Sequence, residues 1–398
     1  MTPLMNTEST EEIMQKTISV LGATGSVGRQ ALDVARERNY TVDFLCANRD
    51  ALALEGYARE FKPRAVAMAD EAMAIDLKAR LADTSVKVLI GNEGILEGIA
   101  ASESEVAVNS ILGEAGLMPS LEVIKSGKRL ALANKESLVI AGDIVMDAAR
   151  KSGIEIIPVD SEHSAIFQSL KSGKSEEIKK IILTASGGPF FGKTRAELES
   201  VTLADTLAHP TWNMGKKITV DSATLMNKGF EVIEAVHLFG VDADRIEVTV
   251  HRESILHSAV EYIDNSVIAE LSVPDMRMCV QYAVDYPDRC PSASRELDLF
   301  SIGALTFYRP DREAFPFLDL AKRAITLGGA MPAVMNAADE IAVGAFLRGE
   351  IAFVDIFRVV TDTFDTLCDR RVVTSLDGII ASDREARRIA DEMIKKNN

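Results

Sequence analysis

The sequence predicts an α/β chain in three parts: an N-terminal doubly wound, mostly parallel sheet, a central α+β domain and a C-terminal all-α domain. Three observations predict it. From Lys16 to Val159 short apolar runs alternate with helix-length segments, the pattern of crossover units that build parallel sheets. After Glu162 the strand-like runs alternate in polarity, as in an antiparallel or mixed sheet with one covered face. Beyond Phe317 apolar residues recur at helical spacing, which leaves only helices.

In the first part, 16–159, the strand candidates are TISVLG, TVDFLC, AVAMA, VKVLIG, VAVNSI, RLALAN and IEIIPV. In the second, 160–285, they are IKKIILTAS, RIEVTVHRES, AVEYIDNS and VIAELSV, interrupted by a long loop and one long helix. Residues 286–315 read as an extended linker, since the stretch around them carries four of the twelve prolines and proline interrupts regular elements. The third part, 316–398, holds the helical runs LDLAKRAITLG, AVMNAADEIAVGAFLRG, FVDIFRVVTDTFDTL and SDREARRIADEMIKK. Residues 1–15, MTPLMNTESTEEIMQ, form a polar extension without the basic and apolar regions of a signal peptide.

A chain of 398 residues, 47% apolar and 26% charged, falls in the globular range and can bury more than one core. Its formal charge of -16 argues against nucleic acid or an anionic membrane as partner, because both require a basic footprint. No window approaches 18 uninterrupted apolar residues, so no membrane span is expected. Cys46, Cys279, Cys290 and Cys368 are widely separated, which indicates neither a disulfide framework nor a zinc-thiolate site and fits a reducing cytoplasm.

Directly after the first strand comes Gly22-Ala23-Thr24-Gly25-Ser26-Val27-Gly28, followed by a helical pattern. Strand, glycines and helix in that order form a Rossmann-like dinucleotide site, where pyrophosphate rests on N–H groups of the helix N-terminus. The second strand ends in Cys46-Ala47-Asn48-Arg49, while Asp43 lies inside it. A base at that edge suits a 2′-phosphate, so NADP is expected over NAD, with Asp50 the nearest contrary acid. ALANKESLV places Asn134, Lys135 and Glu136 at the carboxyl end of a later strand, the edge over which ligands bind. Lys135 could reach a substrate oxygen there or pair with Glu136 or a neighbouring acid.

IEIIPVDSEHSAIF ends a strand in Asp160-Ser161-Glu162. If strand geometry persists, both carboxylates fall on one side, where at about 5 Å they repel by roughly 3 kcal/mol at a dielectric of about 20 and call for a cation. The alternative is that Asp160 or Ser161 caps a following helix. DSATLMNKGFEVIEAVHLF reads as one helix capped near Asp221 or Ser222, with Asn227, Lys228 and Glu231 on one face. Gly229 costs such a helix about 1 kcal/mol and suggests a close neighbour. Ser222, Asn227 and Lys228 suit a phosphate. Glu231 does not, so it is either a third metal ligand with Asp160 and Glu162 or the partner of Lys228 in a surface pair. Carboxylates without a histidine or cysteine cluster favour Mg2+ or Mn2+ over zinc. His251 and His257 read as ordinary strand and core residues. Trp212, in HPTWNMGKK, suits a lid or a loop anchor, and Ser186 in TASGGPF is a further anion contact.

Taken together, GATGSVG, LANKESLV, VDSEHSAIFQSL, LTASGGPF, HPTWNMG and DSATLMNKGFEVIEA resemble the 1-deoxy-D-xylulose 5-phosphate reductoisomerases of the non-mevalonate isoprenoid pathway. The resemblance covers nearly everything after residue 15. It implies NADPH- and Mg2+- or Mn2+-dependent rearrangement and reduction of that sugar phosphate to 2-C-methyl-D-erythritol 4-phosphate, by a homodimer. It implies NADPH contacts from Thr24, Gly25, Ser26, Val27, Ala47, Asn48, Arg49, Asn134, Glu136 and Gly215, and metal ligation by Asp160, Glu162 and Glu231. Substrate contacts would come from Lys135, Ser161, Glu162, Ser186, His209, Ser222, Asn227, Lys228 and Glu231, with Ser186, Ser222, Asn227 and Lys228 around the phosphate. Lys135, Asp160, Glu162, His209 and Glu231 form the expected catalytic set. Residues 186–216 would form a flexible lid that includes Trp212 and Met214. Ala23, Val27 and Ala47 depart slightly from residues frequent in the family. Two other classes compete: a metal-independent NADP dehydrogenase of the semialdehyde type, with Cys279 as nucleophile, and a catalytically silent NADP sensor.

Overall fold

Strands β1 (Thr17–Leu21), β2 (Thr41–Ala47), β3 (Ala65–Met68), β4 (Lys87–Ile90), β5 (Val106–Asn109), β6 (Arg129–Leu132) and β7 (Ile156–Pro158) pair in the order β4-β3-β2-β1-β5-β6-β7. Every pair is parallel. These are the seven runs read from the sequence. The computed structural model describes residues 16–209, 215–292 and 294–396. The inner strands are buried along nearly their whole length, as expected where helices cover both faces. The order reverses at β1, flanked by β2 and β5, so the loops leaving β1 and β5 diverge and open a crevice.

Gly22 (φ +82°) makes the turn after β1, and a Cβ there would lie 2.7 Å from the Ser110 carbonyl oxygen. A Cβ on Gly28 would meet the Gly22 carbonyl oxygen at 2.2 Å. The glycine spacing therefore lets the Ser26–Glu37 helix lie close against the strand end.

The second sheet consists of β8 (Ile178–Ala185), β9 (Ile246–Val250), β10 (Leu256–Tyr262) and β11 (Val267–Leu271), in the order β11-β10-β8-β9. It is mixed: β8 and β9 are parallel, the other pairs antiparallel. Its inner face shares one apolar core with the Met226–Phe239 helix and with the C-terminal helices Phe317–Leu327, Met331–Leu347, Phe353–Thr366 and Leu376–Lys396. Ile181, Phe230, Phe317 and Phe357 all belong to that core. Burying each such side chain contributes roughly 1.5–3 kcal/mol. Gly229 lies against the Phe317–Leu327 helix, where a Cβ would come within 2.9 Å of the Ala321 methyl. The close neighbour expected at this glycine is thus another helix.

The Met276–Asp285 helix leaves the second sheet and returns to the first, where Val280, Ala283 and Val284 enter the core shared with β5, β6, β7 and the Ser26–Glu37 helix. Tyr40 donates to Asp285 there at 2.6 Å.

Two local expectations are corrected. DSATLMNKGFEVIEAVHLF is two helices, Lys216–Thr224 and Met226–Phe239, separated by Leu225 in the left-handed region (φ 61°). Asp221 and Ser222 lie inside the first of them and do not cap the second. Strand geometry also stops at Pro158, before the acidic triplet. Asp160 occupies the N-cap position of the Ser161–Ser169 helix, makes no side-chain capping bond, and Glu162 stands in the first turn. The carboxylates therefore leave a helix start instead of a strand edge.

Candidate active site

A cavity of about 820 Å³ runs from the loop after β1 to the carboxyl end of β8, lined by Gly25, Lys135, Asp160, Ser186 and Glu231 among others. At its nucleotide end, the Ser26–Glu37 helix begins at Gly25 without a side-chain cap, leaving its first N–H groups to face an anion. Ser26 and Val27 line the cavity, and Thr24 belongs to the same turn. Ala47 is buried at the end of β2, while Asn48 and Arg49 emerge exposed beside it. The Arg49 guanidinium is 78% exposed and pairs with Asp70 at 2.8 Å. Neither nearby acid competes for that edge. Asp43 accepts from Arg64, Ser102 and the Glu103 N–H, and Asp50 caps the following helix through the Ala53 N–H.

Asn134 is buried, and its amide holds the surrounding loops: it donates to the carbonyls of Ile111 and Gly113 and to Glu136, and accepts from the Ser137 N–H. Glu136 and Gly215 line the cavity. Asn134 thus shapes this end through the loops it fixes.

The charged centre is built from three helix starts. Lys135 precedes the Glu136–Ser152 helix, Asp160 and Glu162 begin the Ser161–Ser169 helix, and Asn227, Lys228 and Glu231 stand in the first turns of Met226–Phe239. The Lys135 ammonium lies 3.0 Å from Asp160 and 3.4 Å from Glu231, and donates to Asn227 at 2.7 Å. Lys228 donates to Glu162 at 2.8 Å and also to Glu231. Ser161 donates to Glu162 at 2.5 Å, and Asn227 to Glu231 at 2.6 Å.

Sequence reasoning missed two buried members of this cluster. Glu234 lies 4.0 Å from the Lys135 ammonium and 3.9 Å from His163. His163 bonds the Glu231 carbonyl oxygen through Nε2 at 2.9 Å, tying the two acid-bearing helices together. Atoms of Asp160, His163 and Glu231 come within 4.8 Å of one another. The available signal was spacing, for Glu234 is three residues beyond Glu231 and His163 three beyond Asp160, the same helix face in each case.

Four carboxylates here face two ammonium groups. Burial, then repulsion from Glu162, pushes Glu231 up to about 7 against the pull of Lys228 and Lys135. Burial likewise pushes Glu234 up to about 7. Burial opposes ionisation of Asp160 too, yet the Lys135 ammonium holds it far below the usual carboxylate range. An excess of hard oxygen donors with so little room for their charge is a donor set suited to a divalent cation.

At the far end, Ser186 and Ser222 each lie 3.1 Å from His209 Nε2. Burial, with Arg252 nearby, pushes His209 down to about 4, so the ring is neutral near pH 7. Arg252, another residue missed in the sequence, donates to the carbonyls of Ser186 and Gly188 at 2.8 Å and fixes the loop after β8. Lys228 and Asn227 reach this cavity from the neighbouring helix. Trp212 and Met214, expected in a lid, lie outside the described residues. His257 pairs with Glu270 at 2.9 Å, and His251 bonds the Thr306 carbonyl oxygen, both within the second sheet's surroundings. Cys279 is buried, and burial followed by the charge of Glu270 raises its thiol well above the usual value, which is unsuited to a nucleophile.

Comparison with known proteins gives the family of the chain. The family model for 1-deoxy-D-xylulose 5-phosphate reductoisomerase matches residues 18–142, and two models for the C-terminal domains of that enzyme match 156–239 and 271–389. The 1-deoxy-D-xylulose 5-phosphate reductoisomerase of Acetivibrio thermocellus is 52% identical over 385 residues, covering 96% of this chain and 100% of that protein. The Zymomonas mobilis enzyme, solved with NADPH, superposes with a TM-score of 0.89 at 41% identity, covering 95% of this chain and 99% of the other. A DOX-P reductoisomerase solved with NADPH, fosmidomycin and magnesium gives 0.91 at 37% identity, covering 96% and 98%. With three family models along its length and a relative matched from end to end, the chain belongs to the 1-deoxy-D-xylulose 5-phosphate reductoisomerase family.

Proposed function

We propose that the chain converts 1-deoxy-D-xylulose 5-phosphate to 2-C-methyl-D-erythritol 4-phosphate with NADPH and a divalent cation, Mg2+ or Mn2+. The observation that carries this reading is the meeting of Asp160, Glu162 and Glu231 with two buried lysines in the cavity that also takes in the Gly25–Val27 turn. When bound, the cation supplies Lewis acidity and a template for the substrate's vicinal oxygens, and NADPH supplies a hydride. Asp160, Glu162 and Glu231 would hold the cation.

The flanking carboxylates keep Lys135 protonated well above its usual range despite burial. It therefore serves as a fixed hydrogen-bond donor to a substrate oxygen on which negative charge develops. Lys228 and Asn227, with Ser186, Ser222 and neutral His209, surround the phosphate, where charge-assisted bonds are the strong ones. Ser161 orients Glu162. Thr24, Gly25, Ser26, Val27, Ala47, Asn48 and Arg49 receive the nucleotide, and Asn134, Glu136 and Gly215 border the nicotinamide end.

Homodimerisation is part of the same reading. It is supported by β11, an unpaired edge of the second sheet that exposes Val267, Ile268 and Leu271, and by Phe300, 99% exposed; such apolar edges invite a partner. The four free thiols suit a cytoplasmic enzyme. No helix among the described residues is long and apolar enough to cross a membrane.

The test is oxidation of NADPH, followed by absorbance, with the sugar phosphate and Mg2+ or Mn2+, then with a chelator. The expected outcome is turnover that stops on chelation. Turnover indifferent to the chelator would favour the dehydrogenase reading, and no turnover under any condition the sensor.

A further inference from the structure

The cavity wall carries a second charged cluster that the proposed chemistry does not use. The Lys217 ammonium donates to Asp221 at 2.7 Å and to Asp339 at 2.9 Å. It also lies 5.0 Å above the ring of Phe230, the residue before Glu231. Three helices meet at this point: Lys216–Thr224, Met226–Phe239 and, from the C-terminal bundle, Met331–Leu347. Asp221 and Asp339 are almost fully buried, and the second carboxyl oxygen of each is enclosed without a hydrogen-bond partner among the described residues. Burial, then the charge of Asp339, raises Asp221 well above the usual carboxylate range; the two acids share one lysine.

Buried ionic clusters are poor sources of stability, because apolar residues of similar volume often serve as well. What such a cluster can fix is register. Lys217 is two residues from Gly215, and Asp221 is one residue before Ser222, which faces His209. The cluster therefore grips the short helix between the residue expected at the cofactor and the residue expected at the phosphate. The geometry points to Lys217, Asp221 and Asp339 as positioning residues: through this clamp the C-terminal helices set where Ser222 stands, and so how tightly the substrate's phosphate is held. The inference rests on the reading of the cavity as a sugar-phosphate site.

The experiment is steady-state kinetics of full-length Lys217→Met, Asp339→Asn, their double variant and Lys217→Arg, each with its melting midpoint. A displaced Ser222 raises KM for the sugar phosphate by about tenfold and leaves kcat within about threefold. Because Lys217 and Asp339 act as one unit, the double variant is no worse than either single one. Lys217→Arg, which preserves the charge, restores KM to within about threefold of wild type. A cluster that only supports the fold lowers the melting midpoint and the active fraction, hence apparent kcat, at unchanged KM; that result overturns the proposal. Failure of both Lys217→Met and Asp339→Asn to fold also counts against it, since the cluster would then be a requirement of the fold. Absence of wild-type turnover in the same assay refutes the functional reading and not the clamp alone.

Discussion

Glu231→Gln separates the metal site from the cofactor site and tests the electrostatics of the charged centre at once. Glu231 is 1% exposed, and burial with repulsion from Glu162 pushes it up to about 7. Set against its ordinary value of 4.5, that rise corresponds to about 3 kcal/mol of folding stability. The folded chain prefers the protonated form. The cost is absent below about pH 4.5, grows as the pH rises toward 7 and is complete above it. Glutamine keeps the volume and carries no charge, so in chelator at pH 8 the variant melts above wild type, and the advantage vanishes near pH 4.5. Turnover falls by more than the about 100-fold typical of losing a metal ligand's supporting partner. NADPH affinity, measured by fluorescence titration, stays within about twofold, because the dinucleotide turn is built from other segments. Magnesium at ten times its dissociation constant raises wild-type stability by about 1.4 kcal/mol and leaves the variant unmoved. A variant that melts below wild type at pH 8, or NADPH binding that declines in step with turnover, would refute the reasoning.

Lys228→Met removes a charged donor from the phosphate side, and the expected loss of a charge-assisted bond raises substrate KM by about 10- to 100-fold in steady-state kinetics. Arg49→Glu breaks an exposed pair with Asp70, so the melting midpoint barely moves, while NADPH binding weakens more than NADH binding; an equal loss for both cofactors in fluorescence titrations would contradict a 2′-phosphate role. Gly28→Ala places a methyl 2.2 Å from a backbone oxygen, and the forced shift costs about 2–4 kcal/mol in urea denaturation, with NADPH affinity reduced as the turn opens.

Periodicity carried most of the architecture. The inner parallel strands were legible because strands buried on both faces must be continuously apolar, and the outer C-terminal helices because one face alone is buried; Met331–Leu347, central in that bundle, is buried nearly all round. The glycine turn was legible because close backbone approach excludes side chains. Leu225 was not, since nothing in its letters marks a left-handed residue inside an otherwise helical pattern. At the acidic triplet the letters left a strand edge and a helix cap both open, because the preceding residues are strand-like while Asp160 sits at a helix start. Glu234 and His163 offered only a spacing signal and Arg252 none, because each acts across a long separation in sequence: pairings such as His163 with the Glu231 carbonyl or Arg252 with Ser186 arise only when distant helices and loops converge.

The return of the Met276–Asp285 helix to the first sheet means that the chain crosses between its two halves three times, the last time to reach the C-terminal helices. The nucleotide half is consequently not severable at residue 159, however natural that boundary looks in the sequence. A fragment cut there would leave bare the floor that Val280, Ala283 and Val284 roof over, and the Tyr40 hydroxyl would lose Asp285. Such a piece is expected to aggregate, whereas one that supplies the stretch through Asp285 in trans has what it needs to close.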